Sequence, residues 1–161
     1  MNKGDTHGSG GTATQRRNSP GIVTGGENAP DTRKMLHGTE GNVGVIPKDI
    51  ADALSGRTYD NFDDFRKEFW KTVGNSSYAD EFMINGDMTN IYRMRNGGAP
   101  LVLDTQIISG SVTYQIHHKT PIHQNGEVFN LNNLVVVTPR YHAEILIPEY
   151  HGYNGFKKYF K

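Results

Sequence analysis

The chain has no cysteine in its 161 residues. Disulfides, thiolate zinc fingers and a cysteine nucleophile are therefore excluded, and a metal would have to be held by His, carboxylate or amide groups. There is no long hydrophobic run either. No apolar stretch approaches the roughly 18 residues of a membrane span. Met1 to Gln15 is polar and Gly-rich and lacks the apolar core of a signal peptide. The chain is therefore expected to be soluble, with no export signal of its own. An excess of positive charge is also missing: 17 Lys+Arg face 17 Asp+Glu. Phosphate binding is driven by cations, so this balance argues against strong nonspecific binding of nucleic acid, although it permits a local basic patch. Hydrophobic residues make up 35%, and there are 19 glycines. One domain-sized core is expected, not covering every position.

Met1 to about Pro30 is rich in Gly, Ser, Thr and Asn without hydrophobic periodicity. Its composition predicts a flexible linker over residues 1–30. Arg16 and Arg17 lie inside it, as a solvated pair or an arm touching phosphate. From Ile46 the signal sharpens. Pro47 suits the first turn of a helix with Ile50, Ala53 and Leu54 on one face. A second helix starts at the Asn61 cap, with Asp63 and Asp64 in its first turn, where the helix dipole favours anions. Its stripe of Phe62, Phe65, Phe69 and Val73, with Trp70 beside it, predicts core, and Gly74 can close it. A helical turn is expected over Tyr78 to Phe82 and another helix over Asn90 to Arg95, stopped by Gly97, Gly98 and Pro100. Leu101 to Ile108 is loosely strand-like. Ser111 to Ile116 alternates as a strand does. Lys119 to Asn125 reads as a loop and Leu134 to Val137 as a strand, and Pro139 opens a helix through about Ile145, ended by Pro148.

The stretch that carries chemistry is Tyr114 to Leu146, YQIHHKTPIHQNGEVFNLNNLVVVTPRYHAEIL. It reads strand, His-His, loop, strand, and a helix bearing His142. Consecutive strand residues point to opposite faces, so His117 and His118 cannot both ligate one ion on an unbent strand. One would hold a metal and the other act as a base. The helix after Pro139 returns His142 over the hairpin. A divalent cation there could stabilise a phosphorane-like transition state, and a His of near-neutral pKa could activate water. His123 reads as a loop residue outside the immediate shell of a metal. His7 and His37 have no partner pattern.

Three blocks now point to a family: IPKDIADAL followed by YDNFDDFRKEFW; YRMRNGGAP; and HHKTPIHQNGEVFNLNNLVVVTPRYH. Together they resemble the cytotoxic nuclease domain of the DNase colicins and S-type pyocins. The similarity runs from about Lys34 to His142, with looser spacing between Ser76 and Asn90. The resemblance implies an α+β fold in which short helices pack on a ββα-metal (HNH) finger formed by about residues 107–147. The whole domain would span residues 31–147, with a C-terminal extension over 148–161. It implies a bacteriocin-type toxin, delivered to the target-cell cytoplasm, that hydrolyses DNA with a divalent metal. Zinc is expected first, with nickel or magnesium as alternatives. A cognate immunity protein is expected to dock between about Phe82 and Gln106. By position, His118 matches the family's general base, His117 and His142 match two metal ligands, and Asn133 matches the asparagine that ties the hairpin loop together. Lys119 and Arg140 flank the His cluster as candidates for phosphate contact.

The sequence departs from the family at several points. Leu146 stands where a third ligand His is expected, one helical turn after His142. Gln115 replaces an acidic residue, Ser111 an arginine, and the strong positive charge is absent. The extension IPEYHGYNGFKKYFK follows Leu146 directly. Two readings accommodate these departures. In one, His151, or secondarily Glu149, replaces the lost ligand. In the other, the domain binds no metal and is a catalytically silent binding module. RNA as substrate is a further alternative.

Overall fold

A computed structural model describes residues 11–146. The first described element is a short helix α1 (Ala13–Arg17), opened by a capping box in which Thr12 and Gln15 satisfy each other's backbone N–H groups. Strand β1 (Gly21–Ile22) follows. Next come β2 (Leu36–His37), β3 (Val43–Gly44), helix α2 (Lys48–Leu54), β4 (Thr58–Tyr59) and helix α3 (Phe62–Gly74). Helix α4 (Thr89–Arg95), strands β5 (Gln115–His118) and β6 (Leu134–Val137), and helix α5 (Pro139–Tyr141) complete the series; α5 runs directly into a π-helical turn, His142–Leu146. Strands β2, β3, β6 and β5 form one antiparallel sheet in that order, and β1 pairs with β4 in a separate ribbon. The architecture is α+β, as expected.

Helix α3 is the spine of the core. Asn61 accepts a hydrogen bond from the Asp64 N–H at 2.8 Å, and Asp63 and Asp64 occupy the first turn. Phe62, Phe65, Phe69, Trp70 and Val73 are all buried. Their rings meet edge-on or tilted, as ring quadrupoles prefer: Phe69 meets Trp70 at 5.0 Å, and Trp70 meets Phe82 at 5.8 Å. Helix α4 lies across α3, and Gly74 allows the crossing. A Cβ at that position would sit 2.8 Å from the Met94 Cβ.

Three local expectations are corrected. Residues 11–30 are not a free linker. Ile22 pairs with Thr58, Val23 is buried, and Thr24 exchanges backbone hydrogen bonds with Phe129 and Leu131 at 3.1 and 2.8 Å. The glycines that suggested flexibility serve close approach. A Cβ on Gly21 would lie 2.4 Å from the Phe129 ring, and one on Gly25, which has φ +79°, would lie 2.1 Å from the Asn130 amide oxygen. In α2 the buried alanine is Ala51, while Ala53 is exposed, because the helix turns its i, i+1 and i+4 positions inward from Ile50. Between Leu101 and Ser111 there is a 3₁₀ turn, Asp104–Gln106, and a tight reversal through Ser109 (φ 50°) and Gly110 (φ 80°) in place of a strand. The following strand accordingly begins only at Gln115.

Candidate active site

The site is built on the β5–β6 hairpin. His117 pairs across it with Val135 and His118 with Leu134, and the two imidazoles take different neighbours. The His118 ring lies against the Phe62 ring at 4.8 Å. Its Nε2 is 3.0 Å from the Val128 carbonyl oxygen. A carbonyl only accepts, so Nε2 of the neutral ring carries the hydrogen and Nδ1 keeps its lone pair. Burial is the main cause holding the His118 pKa below its ordinary value. The Val128 hydrogen bond opposes that shift, and Arg17 and Arg16 add to it.

The His117 ring meets the His142 ring at 4.8 Å and 69°. Burial, then the neighbouring His142 and His118, depress its pKa to about 4. A neutral imidazole is the form that can ligate a metal. His117, His118 and His142 all line one cavity of about 340 Å³, together with Gln115, Ile122, His123 and Leu146. Leu146 thus brings a methyl-bearing side chain to the wall that His142 shares. Among the described residues, no three His, Asp or Glu side chains come together as a metal-binding group. His151 and Glu149 lie outside the described residues, as does His7.

Asn133 locks the loop that the hairpin encloses. Its amide donates to the Thr120 and Glu127 carbonyls at 3.1 and 2.9 Å and accepts from the Thr120 N–H at 2.8 Å. Its backbone carbonyl accepts from Lys119 at 2.7 Å. A second brace comes from α1. Arg16 donates to the Ile122 and Gly126 carbonyls at 2.9 and 3.0 Å. Arg17 stacks over Phe62 at 4.8 Å, on a ring that also touches His118. Composition alone hid this arm. The adjacent Arg16–Arg17 pair was the one signal of it.

The two phosphate candidates do not border the His cavity. Lys119 lines a separate cavity with Asn132 and Val135. Arg140 is engaged by Glu144 at 3.1 Å and by the Thr105 carbonyl at 3.0 Å. Ser111 is exposed, away from the cavity, and His37 sits exposed on β2.

Comparison with known proteins agrees with this architecture. The family described as Colicin/Pyocin-S2, DNase domain, matches residues 21–147. Pyocin-S2 of Pseudomonas aeruginosa is 37% identical over 129 residues, 80% of this chain and 18% of the relative. Colicin-E7 of Escherichia coli is 39% identical over 132 residues, 81% of this chain and 22% of the relative. The chain therefore spans about a fifth of the length of these curated relatives. Among solved structures, the pyocin AP41 DNase–immunity complex superposes with a TM-score of 0.68 at 30% identity, covering 88% of this chain and 98% of that one. The mutant nuclease domain of pyocin S8, solved with its cognate immunity protein, gives 0.64 at 31% identity, covering 79% and 99%.

Proposed function

The chain belongs to the colicin/pyocin DNase domain family, and from that premise we propose that it is the nuclease domain of a bacteriocin-type toxin, hydrolysing DNA phosphodiester bonds through an HNH-type site. The observation that carries the reading is His118, whose Nε2 meets the Val128 carbonyl while its ring shares a cavity with His117 and His142. Held in that tautomer, His118 presents the Nδ1 lone pair as a general base for the attacking water. Burial keeps the ring neutral and so able to take a proton. The Asn133 hydrogen bonds and the Arg16 clamp fix the loop around it, so the base needs little reorganisation.

The family implies a divalent ion. When bound, such an ion supplies charge stabilisation to the phosphoryl and leaving oxygens. The described residues fall short of a metal site on their own: they offer His117 and His142, whereas three or four protein ligands are the norm for zinc. We propose that His151, or secondarily Glu149, supplies the third donor, with zinc as the first candidate. Calorimetric titration of zinc, nickel and magnesium into wild type, His151→Ala and Glu149→Ala tests this. A loss of affinity of roughly tenfold or more in either variant identifies the donor. Leu146 is the one observation that favours the second reading, a silent binding module. Absence of metal binding, together with absence of nicking of supercoiled DNA in the presence of these ions, would establish that module.

The proposed partner is a cognate immunity protein docking away from the cavity. Between Phe82 and Gln106 the surface exposes Tyr92 (57%), Met88 (39%) and Leu103 (37%), and none of the three lines the His cavity. Amphipathic aromatic side chains of this kind anchor interfaces. Tyr92→Ala is expected to weaken capture of the immunity protein by about tenfold or more and to leave cleavage of free DNA unchanged. No described helix is long and apolar enough to cross a membrane.

A further inference from the structure

We infer that Gln106 is a positioning residue for the His142 side of the site, acting through the hydroxyl of Thr138. The inference rests on the nuclease reading above for its catalytic consequence, but its geometry is independent of it. Gln106 and Thr138 are two of the few polar side chains buried in the described residues, at 5% and 0% exposure. They belong to segments 32 residues apart and meet at 2.7 Å, Thr138 Oγ1 donating to Gln106 Oε1.

The helix that carries His142 is short. Its α-helical part is three residues long, and a π-helical turn begins at His142 itself. A helix this short is far below the length that is stable alone in water. Its start is where the described hydrogen bonds fix it. Thr138 is the N-cap, and its hydroxyl oxygen accepts from the Tyr141 N–H at 3.2 Å. A hydroxyl has one hydrogen and two lone pairs. With its hydrogen committed to Gln106, a lone pair faces the Tyr141 N–H, and the donated bond polarises the oxygen and strengthens the cap. The next residue, His142, donates its backbone N–H to the Thr138 carbonyl at 3.0 Å, and its ring meets His117.

Gln106 is itself fixed from behind. Its amide nitrogen is 3.4 Å from Glu40 Oε1, and Glu40 also accepts from the Thr105 hydroxyl. The Thr105 carbonyl takes a hydrogen bond from Arg140, the second residue of the helix, and the Thr138 N–H is bound by the Asn42 carbonyl at 3.1 Å. The helix start is thus held from two sides, by the turn between β2 and β3 and by the Asp104–Gln106 turn. Gln106 is the only one of these contacts that reaches the capping hydroxyl. A positional error passed to His142 would open its contact with His117, and misplacement of about 1 Å in a catalytic arrangement can cost about a hundredfold in rate.

The test compares Gln106→Met, which keeps shape but cannot accept, Thr138→Val, which removes the hydroxyl, and Thr138→Ser, which keeps it. Ile91→Val serves as a destabilised control remote from the site. Two quantities are measured at a temperature well below each Tm: kcat and KM for DNA cleavage, and the NMR cross-peak between the His117 and His142 rings in metal-free protein. Gln106→Met and Thr138→Val are expected to lose about tenfold or more in kcat with KM nearly unchanged, and to lose the cross-peak. Thr138→Ser and Ile91→Val keep both. If Gln106→Met does not fold, the contrast between Thr138→Val and Thr138→Ser reports whether the capping hydroxyl places His142. Retention of kcat and cross-peak in the two disruptive variants overturns the inference, as does a fall in kcat with the cross-peak intact. If wild type does not cleave DNA, the nuclease reading fails, and the cross-peak alone decides the positioning role.

Discussion

At residue scale, Asn133 and Leu146 show how differently two side chains of one motif constrain this site. Asn133 closes three side-chain hydrogen bonds across the loop. Each such bond contributes about 1 kcal/mol net, so Asn133→Ala is expected to lower stability by about 1–3 kcal/mol, measured by urea denaturation. A loss within error of zero would mean the loop is held by Arg16 and its own turns. Leu146 acts by what it lacks. Its side chain lines the cavity with His117 and His142, so Leu146→His should raise zinc affinity by roughly tenfold or more, the scale on which metal sites respond to a gained or lost partner. Unchanged affinity in calorimetry would show that position 146 does not face the site where an ion binds. The His117, His118 and His142 grouping was legible because a His pair at a strand end and a His after Pro139 can meet only over the hairpin. The Gln106–Thr138 link was not, since the two lie 32 positions apart and neither residue type signals burial.

At element scale, the sequence reads best where periodicity and a cap agree. Helix α3 has both: Asn61 at its start and aromatics at 62, 65 and 69, all buried. Phe65→Ala should therefore cost about 3–5 kcal/mol, seen as a fall in the midpoint of chemical unfolding. A cost under about 1 kcal/mol would imply that the core collapses around the gap. The arm over 11–30 reads poorly because glycine has two uses. Composition suggested flexibility, whereas Gly21 and Gly25 are required by contacts with Phe129 and Asn130. Leu101 to Ile108 reads poorly because a 3₁₀ turn at Asp104–Gln106 interrupts it and a tight reversal at Ser109 and Gly110 follows, which no strand period encodes. Helix α1 carries its own expectation. Arg16→Ala removes two hydrogen bonds to loop carbonyls and should speed amide exchange across residues 120–126, with a stability loss of about 1–3 kcal/mol for charged donors. Unaltered exchange there would show that Arg16 does not brace the loop.

For the whole molecule, the balance of 17 cationic and 17 anionic side chains sets an expectation for how it meets DNA. With no net positive excess, the log–log dependence of binding on salt is expected to be shallow, with a slope of about −3 or weaker. A slope near −8 would reveal a concentrated basic face instead. The fold holds the His118 ring between Phe62 and the Val128 carbonyl, beside the His117–His142 pair, and the proposed role of His118 as the base is tested there. The most direct measurement is nicking of supercoiled plasmid by purified wild type and His118→Ala, each with added divalent ion and with EDTA, alongside their thermal unfolding curves. Ion-dependent nicking by wild type is expected, abolished in His118→Ala at a nearly unchanged Tm. Near wild-type cleavage by His118→Ala would contradict that role.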